Sequence, residues 1–240
     1  MFLFLGLFVL ALISGMLGLG VAFAAVPFLG FFFEDLVHQV QPISLLLNGV
    51  TAIFAAVAFA LGGYIDWKKA LYLSIITTIS APFGAYLVQR VNATYVWYVY
   101  LFAVIFLAYK LFSKTEKIMD YENFKLVCLL AVPISVLSGF LGVGPGFLLM
   151  PTMIILGFEV KKAAGITAVA VTLPSFSALV PHLTSAKFDL NTMLGLIIVG
   201  AMGSFLGARL SSIYLPSQRI KQIFAVLIVI MTAYKIAMVL

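Results

Sequence analysis

Eight apolar segments follow one another along nearly the whole chain and leave no long stretch for a soluble domain. They cover approximately residues 2–33, 43–63, 69–89, 95–112, 126–157, 163–183, 190–210 and 221–240. Apolar runs of about 18 or more residues are typical of helices that cross a membrane. Only 9% of the residues are charged, whereas a soluble domain carries about a quarter. The sequence therefore predicts an all-α polytopic membrane protein.

A glycine-rich motif interrupts two of these segments and shows that the chain is duplicated. Residues 14–27 (SGMLGLGVAFAAVP) and residues 138–151 (SGFLGVGPGFLLMP) share Ser, Gly, Leu, Gly, Gly, Phe and Pro at an offset of 124 residues. An Asp also follows the second and the sixth segments, in GGYIDW and SAKFDL. We interpret residues 1–112 as a first repeat, 113–124 as a basic cytoplasmic linker and 125–240 as a second repeat. Internal repeats of this kind are common in secondary transporters.

The two interrupted segments are too long for simple membrane helices. Each has about 32 residues, which as a straight helix would span about 48 Å at 1.5 Å per residue, whereas the hydrocarbon core is about 30 Å thick. The glycines divide each segment into two arms that would each cross about half of the bilayer. Such a segment is either a broken helix that crosses once or a re-entrant hairpin that returns to its starting side.

The positions of the basic residues favour the hairpin. If both interrupted segments cross, Lys and Arg divide 8 to 6 between the two sides of the membrane. If both are hairpins, they divide 11 to 3, with Arg90, Lys187 and Lys235 alone opposite the others. Because cytoplasmic loops carry an excess of Lys and Arg, we expect hairpins.

This topology makes the two repeats inverted. Each repeat then contains one hairpin and three transmembrane helices, so the second repeat enters the membrane in the opposite orientation to the first. Both termini and the loop at residues 33–39 would lie outside a cytoplasmic (inner) membrane. The two glycine motifs would approach the midplane from opposite leaflets, where non-helical backbone survives only inside protein or along a polar cavity.

The glycine motifs could bind a small anion. Glycine allows positive φ and a close approach of a ligand to the backbone. A short helix should begin after each motif, near Phe23 and near Phe147, and Pro145 suits such a helix start. Free N–H groups and the positive dipole end of a helix attract anions without a buried cation. The alternative is that these glycines only permit tight helix packing.

Polar residues at helical spacing could complete this site. Ser44, Asn48 and Thr51 share one face of the second segment, and Thr172 and Ser175 form a similar stripe on the sixth, with Thr167 beside it. They could instead bond only to neighbouring helices. The candidate substrate-binding residues are Gly18, Gly20, Ala22, Phe23, Asn48, Thr51, Gly142, Gly144, Pro145, Gly146, Phe147, Thr167, Thr172 and Ser175.

The ionisable residues give no sign of an enzyme. Asp66 and Asp189 should cap the helices that follow them or pair with lysines, and His38 and His182 should lie at the membrane interface. We find no metal-ligand spacing, no nucleophile–base arrangement and no phosphate-binding loop. We therefore expect no catalytic residues, no metal, no cofactor and no nucleic-acid partner.

The sequence resembles the sulfite exporter TauE/SafE family across the whole chain. The resemblance rests on the duplicated glycine motif, on GFEVKKAAGITA at residues 157–168 and on the segment ends that carry Asp66 and Asp189. It implies an inner-membrane carrier for sulfite or small organosulfonates, with Gly18, Gly20, Gly142, Gly144 and Gly146 at the motif positions. Ala22 stands opposite Gly146, which predicts that the first motif approaches a ligand less closely.

The leading hypothesis is a secondary transporter that moves such an anion across the membrane by alternating access. An inside-negative potential favours export, by about 2.3 kcal/mol per charge at 100 mV. The alternatives are an anion channel, or a membrane subunit that hands a sulfur compound to a cytosolic partner. The sequence leaves the anion, the coupling ion and the oligomeric state, including a homodimer, open.

Overall fold

The structure, a computed structural model, describes residues 2–112, 121–187, 189–214 and 218–239, and helices are the only regular secondary structure among them. Most of the predicted linker, residues 113–120, lies outside them. The first half contains α1 (Phe2–Leu17), α2 (Ala22–Leu29), a π-helical turn (Leu36–Val40), α3 (Gln41–Leu61), α4 (Trp67–Val88) and α5 (Ala93–Phe112). The second half contains α6 (Phe124–Leu141), α7 (Gly146–Ile155), α8 (Val160–Leu179), a 3₁₀ turn (Val180–His182), α9 (Leu190–Ile213) and α10 (Gln218–Val239).

Five helical stretches in the described part of the chain are long and apolar enough to cross a membrane. They are Leu36–Leu61, Trp67–Val88, Phe124–Leu141, Val160–His182 and Asn191–Ile213. The first and fourth, which contain α3 and α8, are the most buried of the five. The protein is therefore a multi-pass membrane protein with α3 and α8 at its centre.

Polar side chains begin several of these helices, as the sequence predicts. The Asp66 carboxylate accepts a hydrogen bond from the Lys69 N–H before α4, and the Asp189 carboxylate accepts one from the Thr192 N–H before α9. Such caps satisfy backbone donors that have no partner inside the helix. The predicted capping role of both aspartates is confirmed.

Each interrupted segment is two helices that fold back on each other. The Asn123 N–H, just before α6, donates to the Leu156 carbonyl, just after α7, at 3.0 Å. In the first half the Phe28 ring of α2 lies against Gly6 of α1, with its Cζ 2.4 Å from where a Cβ would stand. The last part of the second helix in each pair therefore lies close to the first part of the first helix.

The packing between the halves is duplicated. α1 packs along α9, and the corresponding helix α6 packs along α4. A Cβ on Gly84 would stand 1.8 Å from the Val136 carbonyl oxygen, and one on Gly207 would stand 1.9 Å from the Leu12 carbonyl oxygen. Leu12 and Val136 are 124 residues apart, whereas Gly84 and Gly207 are 123 apart. The same contact therefore occurs twice: a glycine of the first half meets the second half, and the corresponding glycine of the second half meets the first. Between the motif and this glycine, the second half has one residue fewer than the first.

The central helices α3 and α8 run antiparallel. Asn48 in α3 bonds to Ser175 near the end of α8, whereas Tyr64, just after α3, accepts a hydrogen bond from Lys161 at the start of α8. The contacts therefore pair higher residue numbers in α3 with lower residue numbers in α8, as antiparallel helices do. The seam between these two helices is the centre of the contact between the halves.

The prediction of a loop before α3 is wrong in part. Residues 33–39 were expected to form a loop, but Leu36–Val40 is a helical turn that leads directly into α3. The Asp35 carboxylate caps this turn by accepting the His38 N–H at 3.0 Å. His182, predicted at the membrane interface, is fully buried within the protein, and its depth in the membrane stays a prediction. Helix capping and the contact between the two halves outweigh the local polarity that suggested a loop.

Candidate functional site

The two glycine breaks lie at the predicted places and have the predicted conformation. We call residues 18–21 the first tip and residues 142–145 the second tip. Gly18, Gly20 and Gly142 have φ of 65°, 77° and 69°, a left-handed conformation that residues with a side chain rarely adopt. Helices α2 and α7 begin immediately afterwards, at Ala22 and Gly146. The predicted helix starts near Phe23 and Phe147 are confirmed.

The two tips meet in the interior of the protein. A Cβ on Gly146 would stand 2.4 Å from the Leu19 carbonyl oxygen of the first tip. The Phe23 and Phe147 rings, both buried, stack with centroids 4.2 Å apart and planes 19° from parallel. Glycine at position 146 is therefore required for backbone contact between the tips, and the two phenylalanines fill the space beside it.

Asn48 joins the two halves at this point. Its Oδ1 accepts a hydrogen bond from the Ala22 N–H at 3.0 Å, and its Nδ2 donates to the Ser175 Oγ at 2.8 Å. The Ser175 hydroxyl in turn donates to the Val171 carbonyl at 2.6 Å. The Asn48 side chain has no solvent exposure, so each of these bonds satisfies a group that would be costly to leave unpaired.

The first turns of α2 and α7 direct backbone N–H groups at the tips. The hydrogen bonds inside α2 begin at Ala24 and Ala25, whose N–H groups donate to the Val21 carbonyl. Those inside α7 begin at Leu148 and Leu149, which donate to the Pro145 carbonyl. The N–H groups that precede them point out of each helix, together with its positive dipole end.

The two tips are not equivalent in their surroundings. A Cβ on Gly20 would stand 2.2 Å from the Asn48 Oδ1, whereas one on Gly144 would stand 2.0 Å from the Asn48 Nδ2 and 2.7 Å from a methyl carbon of Val171. Val171 of α8 thus contacts the glycine of the second tip as Asn48 of α3 contacts the corresponding glycine of the first tip. The first tip faces an amide, and the second faces both that amide and an apolar side chain.

Gly18 and Gly142 each pack against the central helix of the opposite half. A Cβ on Gly18 would stand 2.8 Å from the Ala164 Cβ, and one on Gly142 would stand 2.3 Å from the Gln41 Cγ. These contacts are again the same contact with the halves exchanged. The two glycines therefore serve the fit between each tip and the opposite central helix.

The predicted hydroxyl residues Thr51, Thr167 and Thr172 lie in three different surroundings. The Thr51 hydroxyl donates to the Asn48 carbonyl at 3.2 Å, and so lies one turn further along α3. The Thr167 hydroxyl lies 3.8 Å from the Met153 Sδ of α7. The Thr172 hydroxyl donates to its own helix at Ala168, and its side chain lines an outer apolar groove. The structure therefore shows Thr51 bonding within α3, Thr167 next to α7, and Thr172 away from Asn48 in an outer groove.

Two buried residues next to the tips and the helix starts were not predicted from the sequence. Gln41 is fully buried against the second tip and donates from Nε2 to the Phe140 carbonyl at 3.2 Å. Its Oε1 has no partner among the described residues. Tyr100 of α5 donates its hydroxyl hydrogen to the Phe23 carbonyl and stacks on the Phe23 ring. A polar residue just before Pro42 was the available signal for Gln41, whereas nothing distinguished Tyr100 within an aromatic-rich segment.

Charged residues gather away from the tips, at the opposite end of α8 from His182. Lys162 lies 2.9 Å from the Glu122 carboxylate and 3.7 Å from that of Asp66, and Lys69 pairs with both carboxylates. Burial alone would raise the pKa of Glu122, but the two lysines outweigh it and lower that pKa. We call these four residues the ion-pair cluster. It joins the chain before α6 to α4 and α8.

The helical architecture, with five described stretches that are long and apolar enough to cross a membrane, defines a class: a multi-pass membrane protein. Comparison with known proteins identifies the family. Residues 2–235 match the family described as sulfite exporter TauE/SafE, so the chain belongs to that family.

Two relatives are named as transporters. The probable membrane transporter protein YdhB of Bacillus subtilis is 25% identical over 224 residues, which cover 89% of this chain and 91% of the relative. The probable membrane transporter protein MJ0441 of Methanocaldococcus jannaschii is 25% identical over 188 residues, which cover 74% of this chain and 70% of the relative. No solved structure matches the chain. Family and relatives together identify a membrane transporter.

Proposed function

We propose that the protein is a secondary transporter that exports a small sulfur-containing anion, of the sulfite or organosulfonate class, across the cytoplasmic membrane. The observation that carries this proposal is the hydrogen bond from the Ala22 N–H at the start of α2 to the Asn48 amide oxygen. A backbone donor at a helix N-terminus here holds a neutral oxygen in the place where an anion oxygen would bind. The description of the family as sulfite exporters supports the sulfur-anion class.

The chemistry of the site suits an anion without a fixed positive charge. When the anion oxygen replaces the Asn48 Oδ1 at the Ala22 N–H, rotation of the amide presents the Asn48 Nδ2 as a further donor. The Ser175 hydroxyl and the N-terminus of α7 supply additional donors. The Phe23 and Phe147 rings are buried and stacked at the starts of α2 and α7, so they must separate to admit an anion between these two helix starts. The arrangement described here is therefore a closed one.

The inverted-repeat topology is part of this proposal. The hydrogen bond between Asn123 and Leu156 supports a hairpin that returns to its starting side. The antiparallel course of α3 and α8 supports opposite orientations of the two halves. In addition, Lys69 and Lys162 both pair with Glu122. They can share a side of the membrane only if the segment containing α6 and α7 does not cross it.

Single cysteines test the topology. In a background where Cys128, the one cysteine of the chain, is replaced by serine, Lys68→Cys and Glu159→Cys should both react with an impermeant thiol reagent from the cytoplasmic face only. Arg90→Cys and Lys187→Cys should react from the outer face only. All four residues are exposed. Reaction of Lys68→Cys and Glu159→Cys from opposite faces would overturn the inverted repeat.

Flux through proteoliposomes tests the function. The purified protein should give saturable sulfite or sulfonate flux, with counterflow of labelled substrate and competition between the two anions. Sulfate, thiosulfate and chloride are the comparison anions. Flux that rises linearly with concentration and shows no counterflow would indicate a channel instead. The absence of flux with every one of these anions would overturn the proposed substrate class.

A further inference from the structure

His182 closes one end of the seam between α3 and α8. It lies in the 3₁₀ turn that ends the α8 span, and its Nδ1 is 3.0 Å from the Val37 carbonyl oxygen in the helical turn that begins the α3 span. The side chain has no solvent exposure. It therefore bonds across the two halves of the protein, at the opposite end of the seam from the ion-pair cluster.

The geometry of this bond fixes the protonation of the ring. A carbonyl oxygen can only accept, so the Nδ1 must carry the hydrogen. In the neutral imidazole the Nε2 is then an acceptor, and this atom is buried without a partner among the described residues. A second proton would bind at Nε2 and would create a buried cation whose new N–H group has no acceptor. Burial of such a group is strongly unfavourable.

The surrounding charged groups offer no compensation in this arrangement. From the turn at residues 36–40, His38 is partly exposed and bonds through its own Nδ1 to the Asp35 carboxylate at 2.8 Å. Arg90, at the end of α4, is exposed, and so are Glu34 and Lys187. Within the described part of the chain neither the Asp35 nor the Glu34 carboxylate bonds to the His182 ring. A protonated His182 can gain an acceptor only when water enters the seam.

We propose that His182 is a proton-binding site: the neutral ring closes the α3–α8 seam, and protonation at Nε2 opens it. Opening exchanges the bond to Val37 for hydration of the imidazolium. In the topology proposed above this end faces outward, so acid outside would favour the outward-open form. That sidedness rests on the proposed function, but the linkage between protonation and opening does not.

The backbone beside His182 provides a reporter of opening. The Ser185 and Ala186 N–H groups donate to the His182 carbonyl at 3.0 and 2.8 Å, and the Lys187 N–H donates to the His38 carbonyl at 2.8 Å. Opening of the seam exposes these amides to hydrogen exchange. Their protection, relative to an unfolded peptide of the same sequence at each pH, therefore measures closure without any substrate.

The test is hydrogen exchange of residues 185–187 in lipid nanodiscs at pH 5.5 and pH 8. In the wild type, acidification should lower protection about tenfold, because at pH 5.5 an imidazole of ordinary pKa, about 6.5, is protonated about ten to one in the open form while the closed ring stays neutral. His182→Asn keeps a donor for the Val37 carbonyl but does not titrate, so its protection should be independent of pH. His38→Gln, the matched control, should behave as the wild type. Protection that does not change with pH in the wild type, or that changes equally in His182→Asn, would overturn the proposal.

A second measurement applies even if His182→Asn does not fold. The chain contains two histidines, so His38→Gln leaves His182 as the single imidazole. NMR of the labelled ring should show the neutral Nδ1–H form wherever residues 185–187 remain protected, and protonation only at a pH where that protection has been lost. Protonation of the ring while these amides stay protected would contradict the linkage between charge and opening.

Discussion

Anion flux should fall about 100-fold when Asn48 is replaced by leucine. Leucine has a similar volume but offers neither a donor to the anion nor an acceptor for the Ala22 N–H, and each lost hydrogen bond costs about 1–2 kcal/mol. The measurement is the initial rate of sulfite flux in proteoliposomes, normalised to the amount of inserted protein. Flux equal to that of the wild type would mean that the contacts of Asn48 are structural only.

The matched control is Thr172→Val. Thr172 was predicted as a site residue in the polar stripe of the sixth segment, but its hydroxyl bonds to its own helix and its side chain lines an outer groove. The variant should therefore retain wild-type flux. Since leucine at position 48 also leaves buried groups unpaired, size-exclusion profiles and unfolding midpoints of both variants separate a loss of flux from a loss of folded protein.

Alanine at Gly84 or at Gly207 should destabilise the protein by about 2–3 kcal/mol, as expected when a packed interface is overfilled. The added Cβ would stand less than 2 Å from a backbone carbonyl oxygen of the facing helix. Since backbone cannot rotate away as a side chain can, α4 must move from α6, or α9 from α1. Thermal unfolding in detergent measures the effect, and the two variants should lose similar amounts.

Gly200→Ala is the control within the same helix as Gly207. Its Cβ would meet only a Thr51 methyl group at 3.1 Å, with the next atoms at 3.9 Å. Its unfolding midpoint should therefore change little. A Gly207→Ala variant as stable as Gly200→Ala would mean that α1 and α9 do not touch at this point.

The helix breaks could be predicted from the sequence because glycine is the residue that left-handed backbone requires. Gly18, Gly20 and Gly142 adopt that backbone, and the repetition of the motif showed that the breaks belong to both halves. Capping by Asp66 and Asp189 was equally accessible, because a carboxylate at a helix start bonds to backbone within three residues. Each of these features depends on neighbours in sequence.

The sequence could not predict which side chains of α8 face the interior, because that depends on a difference of one residue in the offset between the two halves. An offset of 124 places Thr172 opposite Asn48, whereas the contacts in the structure use an offset of 123 and place Val171 there. One residue rotates a helix face by about 100°, which moves Thr172 from the interior to an outer groove. Gln41 was missed, and the burial of His182 was not predicted, for a related reason: the burial of both residues depends on contacts with the opposite half.

The contacts between the two halves occur in equivalent pairs, such as Gly84 with Val136 and Gly207 with Leu12. This pairing affects the relative energies of the transport states. If rearrangement of one half opens one end of the protein, the same rearrangement of the other half opens the opposite end through near-identical contacts. The two open forms would then be nearly degenerate. Any preference between them must come from positions where the halves differ, such as Asn48 against Val171, or His182 at one end and the paired lysines at the other. Directionality in such a molecule is carried by its few asymmetric residues.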